Sequence, residues 1–241
     1  MVSPAQRHFM RACAAKATAL DATPAHATQY ELMLAKLAED KRRLKQVQSI
    51  ERKADVKREL LPEYAPWVDG VLQAAGERAA GTQDDVLMTV LVWRIDVGDF
   101  AGALPIAAHA LAYGLVLPDQ YKRGTACLIA EECADMALKA RTAGAPLDTG
   151  SLLAVEQLTR AHDMPDEVRA KLHKAIGYGL AETDPAQALS NLRRALELHK
   201  DVGVKKDIEK LERELKNAAE APPARRTPRE PRAGRQGAEA S

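Results

Sequence analysis

The sequence predicts an all-α fold, and three observations carry that expectation. Aromatic residues are 4% of the 241, with only two Phe, while Ala is abundant. Helices tolerate Ala best, whereas strands favour the aromatic and β-branched types that are in short supply here. Apolar residues recur at three-to-four spacing in one segment after another, and Gly, Pro or Asp bounds almost every segment. No stretch alternates apolar and polar residues as a half-buried strand does.

Taken in order, the first 25 residues read as a short helix or loose arm around Pro4–Leu20. Thr28 and Glu31 form a T-x-x-E capping box. They open a long helix expected over Gln29–Arg58. Its apolar stripe is Tyr30, Met33, Leu34, Leu37, Leu44, Val47, Ile50 and Ala54. The stripe is narrow, as in a coiled coil, and a stop is expected before Pro62. Pro66 opens a second helix over Trp67–Ala75, and Asp84 or Asp85 caps a strongly apolar one over Val86–Val97.

Gly98 and Asp99 break that helix, and Phe100–Tyr113 follows, with Pro105 inside it. Further helices are expected over Thr125–Arg141, Thr149–Ala161, Pro165–Gly179, Pro185–His199 and Val204–Lys216. Trp93–Leu111 and Leu172–Leu198 look alike, each resembling the second half of a tetratricopeptide unit. Ordinary helical hairpins fit them as well. From Ala218 onward the chain has no Leu, Ile, Val or aromatic residue and is expected to be disordered. Three regions result: 1–62, a basic arm and long helix; 63–217, a helical domain of tetratricopeptide-like hairpins; and 218–241, a tail.

Charge is unevenly distributed along the chain. The first 60 residues hold 12 basic and 7 acidic side chains, and the whole excess lies in 41–60, with 8 basic against 3 acidic. Residues 61–160 hold 7 basic and 13 acidic side chains. A basic front before an acidic middle suggests that the front meets a polyanion and the rest meets something else. Lys41, Arg42, Arg43, Lys45, Arg52, Lys53, Lys57 and Arg58 share the long helix. Arg7, Arg11 and Lys16 have no acidic neighbour in the first twenty residues. Such residues can track phosphates through salt-dependent contacts. The 41–58 set fits a solvated coiled-coil flank equally well.

Several chemistries find no support. No Gly precedes Lys, so there is no Walker A loop, and neither G-x-S-x-G nor H-E-x-x-H occurs. The acidic pairs Asp84–Asp85, Asp96 with Asp99, Glu131–Glu132, and Asp163 with Asp166 could hold a divalent metal for nuclease chemistry. Asp85, Asp99, Asp163 and Asp166 fall at expected helix starts, where a carboxylate caps, and capping is the reading preferred. No metal site is assigned. Cys13, Cys127 and Cys133 form no C-x-x-C, and small buried core residues in a reducing compartment are expected. No secretory leader or membrane span is expected.

Five runs carry a resemblance. They are S-P-A-Q-R-H at 3–8, K-R-E-L-L-P at 57–62 leading into P-W-V-D-G-V-L, and Q-D-D-V-L-M-T-V at 83–90 running on to W-R-I-D-V-G-D-F-A-G-A-L. D-M-P-D-E-V-R-A-K-L-H-K at 163–174 and G-V-K-K-D-I-E-K-L-E-R-E-L-K at 203–216 complete the set. Over about residues 1–217 the chain closely resembles the GpM family, the small terminase subunit of temperate tailed phages with cohesive-end genomes. That family is also named the terminase endonuclease subunit.

The resemblance implies a packaging role in the host cytoplasm. It implies binding to viral double-stranded DNA, assembly into a homo-oligomer, commonly a ring, and work with the terminase large subunit. Cofactors are then none in this chain, with Mg²⁺ and ATP expected on the large subunit. On that reading Arg7, Arg11, Lys16 and the 41–58 basic set hold DNA. Tyr30, Leu34, Leu37, Leu44 and Val47 form the seam between subunits. The acidic middle and the tail meet the large subunit. Two alternatives stay open: a metal-dependent endonuclease in its own right, and a helical-repeat adaptor that binds only protein.

Overall fold

A computed structural model of the chain describes residues 4–17, 24–77, 82–118 and 123–220. Of the expected tail 218–241, residues 221–241 lie outside the described residues, as does the side chain of Lys16, while residues 218–220 are not disordered but continue the last helix, which ends at Glu220. Every regular element among the described residues is an α-helix. They are α1 (Pro4–Ala17), α2 (Pro24–Gln46), α3 (Ile50–Glu77), α4 (Asp85–Asp96) and α5 (Phe100–Ala112). There follow α6 (Thr125–Thr142), α7 (Thr149–Thr159), α8 (Asp166–Leu180), α9 (Pro185–Leu198) and α10 (Lys205–Glu220).

The expected long helix is two helices. Residues 47–49 interrupt it, and α3 turns back antiparallel along α2. Tyr30 stacks on Trp67 and Lys36 reaches Glu63, while Arg43 reaches Glu59. A straight helix would leave the Met33–Leu37–Leu44 stripe and the Leu60–Tyr64–Trp67 stripe on one rod. Folding back lets the two cover each other. At the other end α2 starts at Pro24, so Thr28 lies inside the helix and the expected capping box does not open it.

The expected stop before Pro62 also fails, because α3 runs through both Pro62 and Pro66. An interior proline costs about 3 kcal/mol through a lost hydrogen bond and a ring clash. Against that, Leu60, Leu61, Tyr64, Trp67, Val68 and Val71 are all buried on this helix. Each large apolar side chain removed from water contributes about 1.5–3 kcal/mol, so packing wins.

Helix α4 sits at the centre, packed by α2, α3, α5 and α6. Asp84 caps it through Leu87 N, Asp99 caps α5 through Gly102 N, and Asp184 caps α9 through Gln187 N. Pro165 stands at the N-cap of α8, so that start differs by one residue from expectation. The α8–α9 pair is tight because Gly177 faces Leu192 and the Ala188 carbonyl. All three cysteines are buried, and burial, with the Glu132 charge, pushes the Cys133 thiol up to about 12. Among the described residues no helix is long and apolar enough to cross a membrane.

Candidate nucleic-acid interface

The α2–α3 hairpin is built around a buried acid. Asp40 is 8% exposed. It accepts a hydrogen bond from the Tyr64 hydroxyl at 2.6 Å and one from Lys36 Nζ at 2.6 Å. Lys36 also reaches Glu63 at 3.0 Å and lies 4.6 Å from the Tyr64 ring centre. Burial and the bond to Asp40 push the Tyr64 phenol far above its ordinary range. Burial alone would lower the Lys36 ammonium, but its bonds to Asp40 and Glu63 outweigh it and the net shift is upward. Nearer the base, burial pushes the Tyr30 phenol up to about 12, and its oxygen accepts from Asp85 N.

The apex is different. From Lys45 to Arg52 every residue is exposed except half-buried Val47. Ser49 caps α3: its Oγ accepts from Arg52 N at 3.3 Å and its carbonyl from Lys53 N at 3.0 Å. The chain can break here without Gly or Pro because a serine at the N-cap supplies an acceptor to a free backbone donor. Ile50 follows it, 86% exposed.

The predicted basic set divides in two. Arg7 and Arg11 lie on α1, which packs along α3, and Arg11 bonds Asp69 at 2.8 Å. Asp69 is roughly 28 Å along α3 from the apex at 1.5 Å per residue. At the hairpin, Arg42 pairs with Glu39, Arg43 with Glu59, Lys57 with Asp96 and Arg58 with Asp55. Lys41 is half-buried, and burial lowers its ammonium pKa. Among the described residues Arg7, Lys45, Arg52 and Lys53 form no ion pair. Glu51 stands beside Arg52 and is likewise exposed and unpaired among them.

The predicted seam residues mostly have partners within the chain. Leu37 and Leu44 are 2% and 7% exposed in the core. Tyr30, Leu34 and Val47 are half-buried against it. The large apolar side chains left in the open include Phe9 on α1, Leu32 on α2 and Ile50 at the apex. Sequence reasoning placed Ile50 inside an apolar stripe and passed over Ser49. The S-I-E-R run was the available signal for a cap.

The family model described as phage small terminase subunit matches residues 34–167. That span holds the hairpin from Leu34 onward, its apex, and α4 to α7. The chain is also 52% identical over 236 residues to the "Terminase, endonuclease subunit" of Escherichia phage P2, covering 96% of this chain and 94% of that one. The chain belongs to the phage small terminase subunit family. No solved structure matches it.

Several carboxylates of the acidic pairs in this terminase subunit have structural partners, while Asp163, expected as a cap, gives way to Pro165 at the N-cap of α8. Asp84 accepts from Leu87 N and from Trp67 Nε1, and burial raises its carboxyl pKa despite those bonds. Asp99 caps α5 and holds Arg94, while Asp96 holds Lys57. Glu131 meets Arg123 and Lys171. Glu132 is raised by burial and by the nearby charges of Asp96 and Asp135. Asp166 lies in the first turn of α8. No group of three His, Cys, Asp or Glu among the described residues could hold a metal ion.

Proposed function

We propose that this subunit positions viral double-stranded DNA for the terminase complex, holding it at the apex of the α2–α3 hairpin. The supporting observation is the exposed apex itself, where exposed Lys45 and Arg52, with half-buried Lys53 beside them, carry charge not bound up in ion pairs. Cations free of internal partners give more to phosphate binding, because they break no existing contact and release condensed counterions. Arg7 on α1 forms a second, separate contact point. The paired residues Arg11, Arg42, Arg43, Lys57 and Arg58 shape the hairpin and contribute less to DNA.

Copies of the subunit assemble, ring closure being the arrangement that presents many apices to one duplex. Leu32 and Phe9, exposed on α2 and α1, join the rims of Tyr30, Leu34 and Val47 as the contact between copies. The terminase large subunit supplies ATP hydrolysis with Mg²⁺ and meets the acidic helical middle. Cutting, the activity in the name of the phage P2 relative, is on this reading carried out by the complex to which the subunit presents DNA. The work takes place in the host cytoplasm.

Purified subunit, end-region viral DNA and Mg²⁺, run on one gel at two salt concentrations, test the reading. Salt-sensitive retention of intact DNA is expected. Site-localised cuts that vanish with chelator and with one carboxylate variant would overturn it in favour of an endonuclease. Retention at neither salt would favour a protein-only adaptor.

A further inference from the structure

Ile50 has no role in holding the fold. It is 86% exposed, more than Phe9 at 54%, Leu32 at 58%, Val116 at 62% or Leu153 at 39%. It occupies the first position of α3, just after the Ser49 cap, at the turn that joins the two arms of the hairpin. The cations Lys45, Arg52 and Lys53 flank it. Nothing among the described residues covers it, and a polar residue at this position would serve the helix equally well. An exposed apolar side chain with unpaired cations on either side of it in the chain, at a turn, matches one occupant, the duplex groove. There the cations hold the two phosphate walls and the apolar tip meets base edges.

We infer that Ile50 is a wedge that enters the minor groove and partly unstacks one base step, kinking the DNA at the apex. The inference rests on the proposed binding of DNA at this hairpin. A branched aliphatic group has no hydrogen bonds to offer or to lose, so it reads the deformability of the step and not the base code. Pyrimidine–purine steps unstack most easily and are where it seats. In a ring of copies, successive apices would set kinks at regular spacing and bend the duplex around the assembly. Glu51 is the opposing element, because its carboxylate faces the same phosphates.

The test uses the full-length subunit and a short mixed-sequence duplex carrying 2-aminopurine at TpA steps. End-to-end energy transfer is read on the same DNA. Wild type is expected to raise 2-aminopurine fluorescence and shorten the end-to-end distance. Ile50→Ala is expected to bind about tenfold more weakly, with an unchanged salt slope, and to lose both signals. Glu51→Gln is expected to bind more tightly and keep both. Exposure of Ile50 means the substitution leaves the fold intact, which circular dichroism verifies.

Equal signals from Ile50→Ala and wild type would overturn the wedge. So would salt-dependent binding by wild type with no signal, and that result would leave DNA positioning standing. Binding abolished by neither Arg52→Glu nor Lys53→Glu, or absent altogether, would remove the DNA reading as well. A fall in oligomer mass for Ile50→Ala with DNA signals untouched would reassign Ile50 to a contact between copies.

Discussion

Trp67 Nε1 donates to Asp84 Oδ2 at 2.8 Å while the other Asp84 oxygen accepts from Leu87 N at 2.9 Å. One buried carboxylate therefore ties the base of the hairpin to the start of the central helix. Asp84→Ala removes the cap and leaves the indole N–H buried without a partner. The two losses together are expected to cost about 2–4 kcal/mol. Urea unfolding would show it as a lower midpoint at constant slope. A loss under about 0.5 kcal/mol would mean that the tie is dispensable.

Leu37→Asp separates two uses of the α2 stripe. With Leu37 and Leu44 in a seam between subunits, as the sequence suggests, replacing both with Asp gives monomers. With Leu37 buried in the chain's own core, the expected result is unfolding, read as lost helical dichroism. Leu32→Asp, on an exposed residue, is expected to leave the fold intact and lower the oligomer mass by light scattering. Folded monomers from Leu37→Asp would restore the inter-subunit seam.

Gly177→Ala reverses the usual rule for helices, where Ala gains about 1 kcal/mol over Gly. A β-carbon at Gly177 would stand 2.6 Å from Leu192 Cδ2 and 3.2 Å from the Ala188 carbonyl oxygen. Leucine can shift, but the α9 backbone resists. A net loss of about 1–3 kcal/mol is expected, measured by thermal unfolding. A rise in melting temperature would show that α8 and α9 can part without penalty.

Charge substitutions should sort by ion pairing. Lys45→Gln, Arg52→Gln and Lys53→Gln are each expected to reduce the salt slope of DNA binding by about 0.9 if each neutralises one phosphate. Arg42→Gln and Arg58→Gln, whose partners are Glu39 and Asp55, are expected to change it less. Anisotropy titrations over a salt series check this. Equal effects from both groups would mean that the ion pairs open on binding.

His109 makes stability depend on pH. It is buried in α5, its Nε2 has no hydrogen-bond partner among the described residues, and burial holds its pKa below the ordinary 6.5. Below that ordinary value the unfolded chain takes up a proton that the folded chain refuses. Stability therefore falls as pH drops from about 6.5 towards the depressed folded value, and the group has no effect at pH well above 6.5. Melting temperatures between pH 7 and pH 5 should show a fall for wild type that His109→Leu flattens. Parallel curves would show that His109 does not titrate on unfolding.

The body of the fold was legible and the hairpin was not. Helices α4 to α9 fall within two residues of expectation at either end, because Asp84, Asp99 and Asp184 supply caps that local chemistry announces. The fold-back at 47–49 escaped because no Gly or Pro marks it. It follows from two apolar stripes that need each other. Pro62 and Pro66 misled for the same reason, since their local cost is outweighed by burial that only the folded chain displays. Basic character at 41–58 could be read directly. Which cations are free could not, because Arg43 and Lys57 find Glu59 and Asp96 only through tertiary structure.

The Asp40–Tyr64–Lys36 cluster also bears on how the hairpin could change over generations. A slip of one arm along the other would strand Asp40 among apolar side chains, so the alignment of the arms is set from within their length. The connecting turn supplies none of the bonds in that cluster. Apart from Val47, which packs on the core, and the Ser49 cap, its exposed residues are free to vary while the body stays as it is. The tip is thus a replaceable head on a fixed shaft, and a new tip sequence can be tried without asking the rest of the molecule to refold.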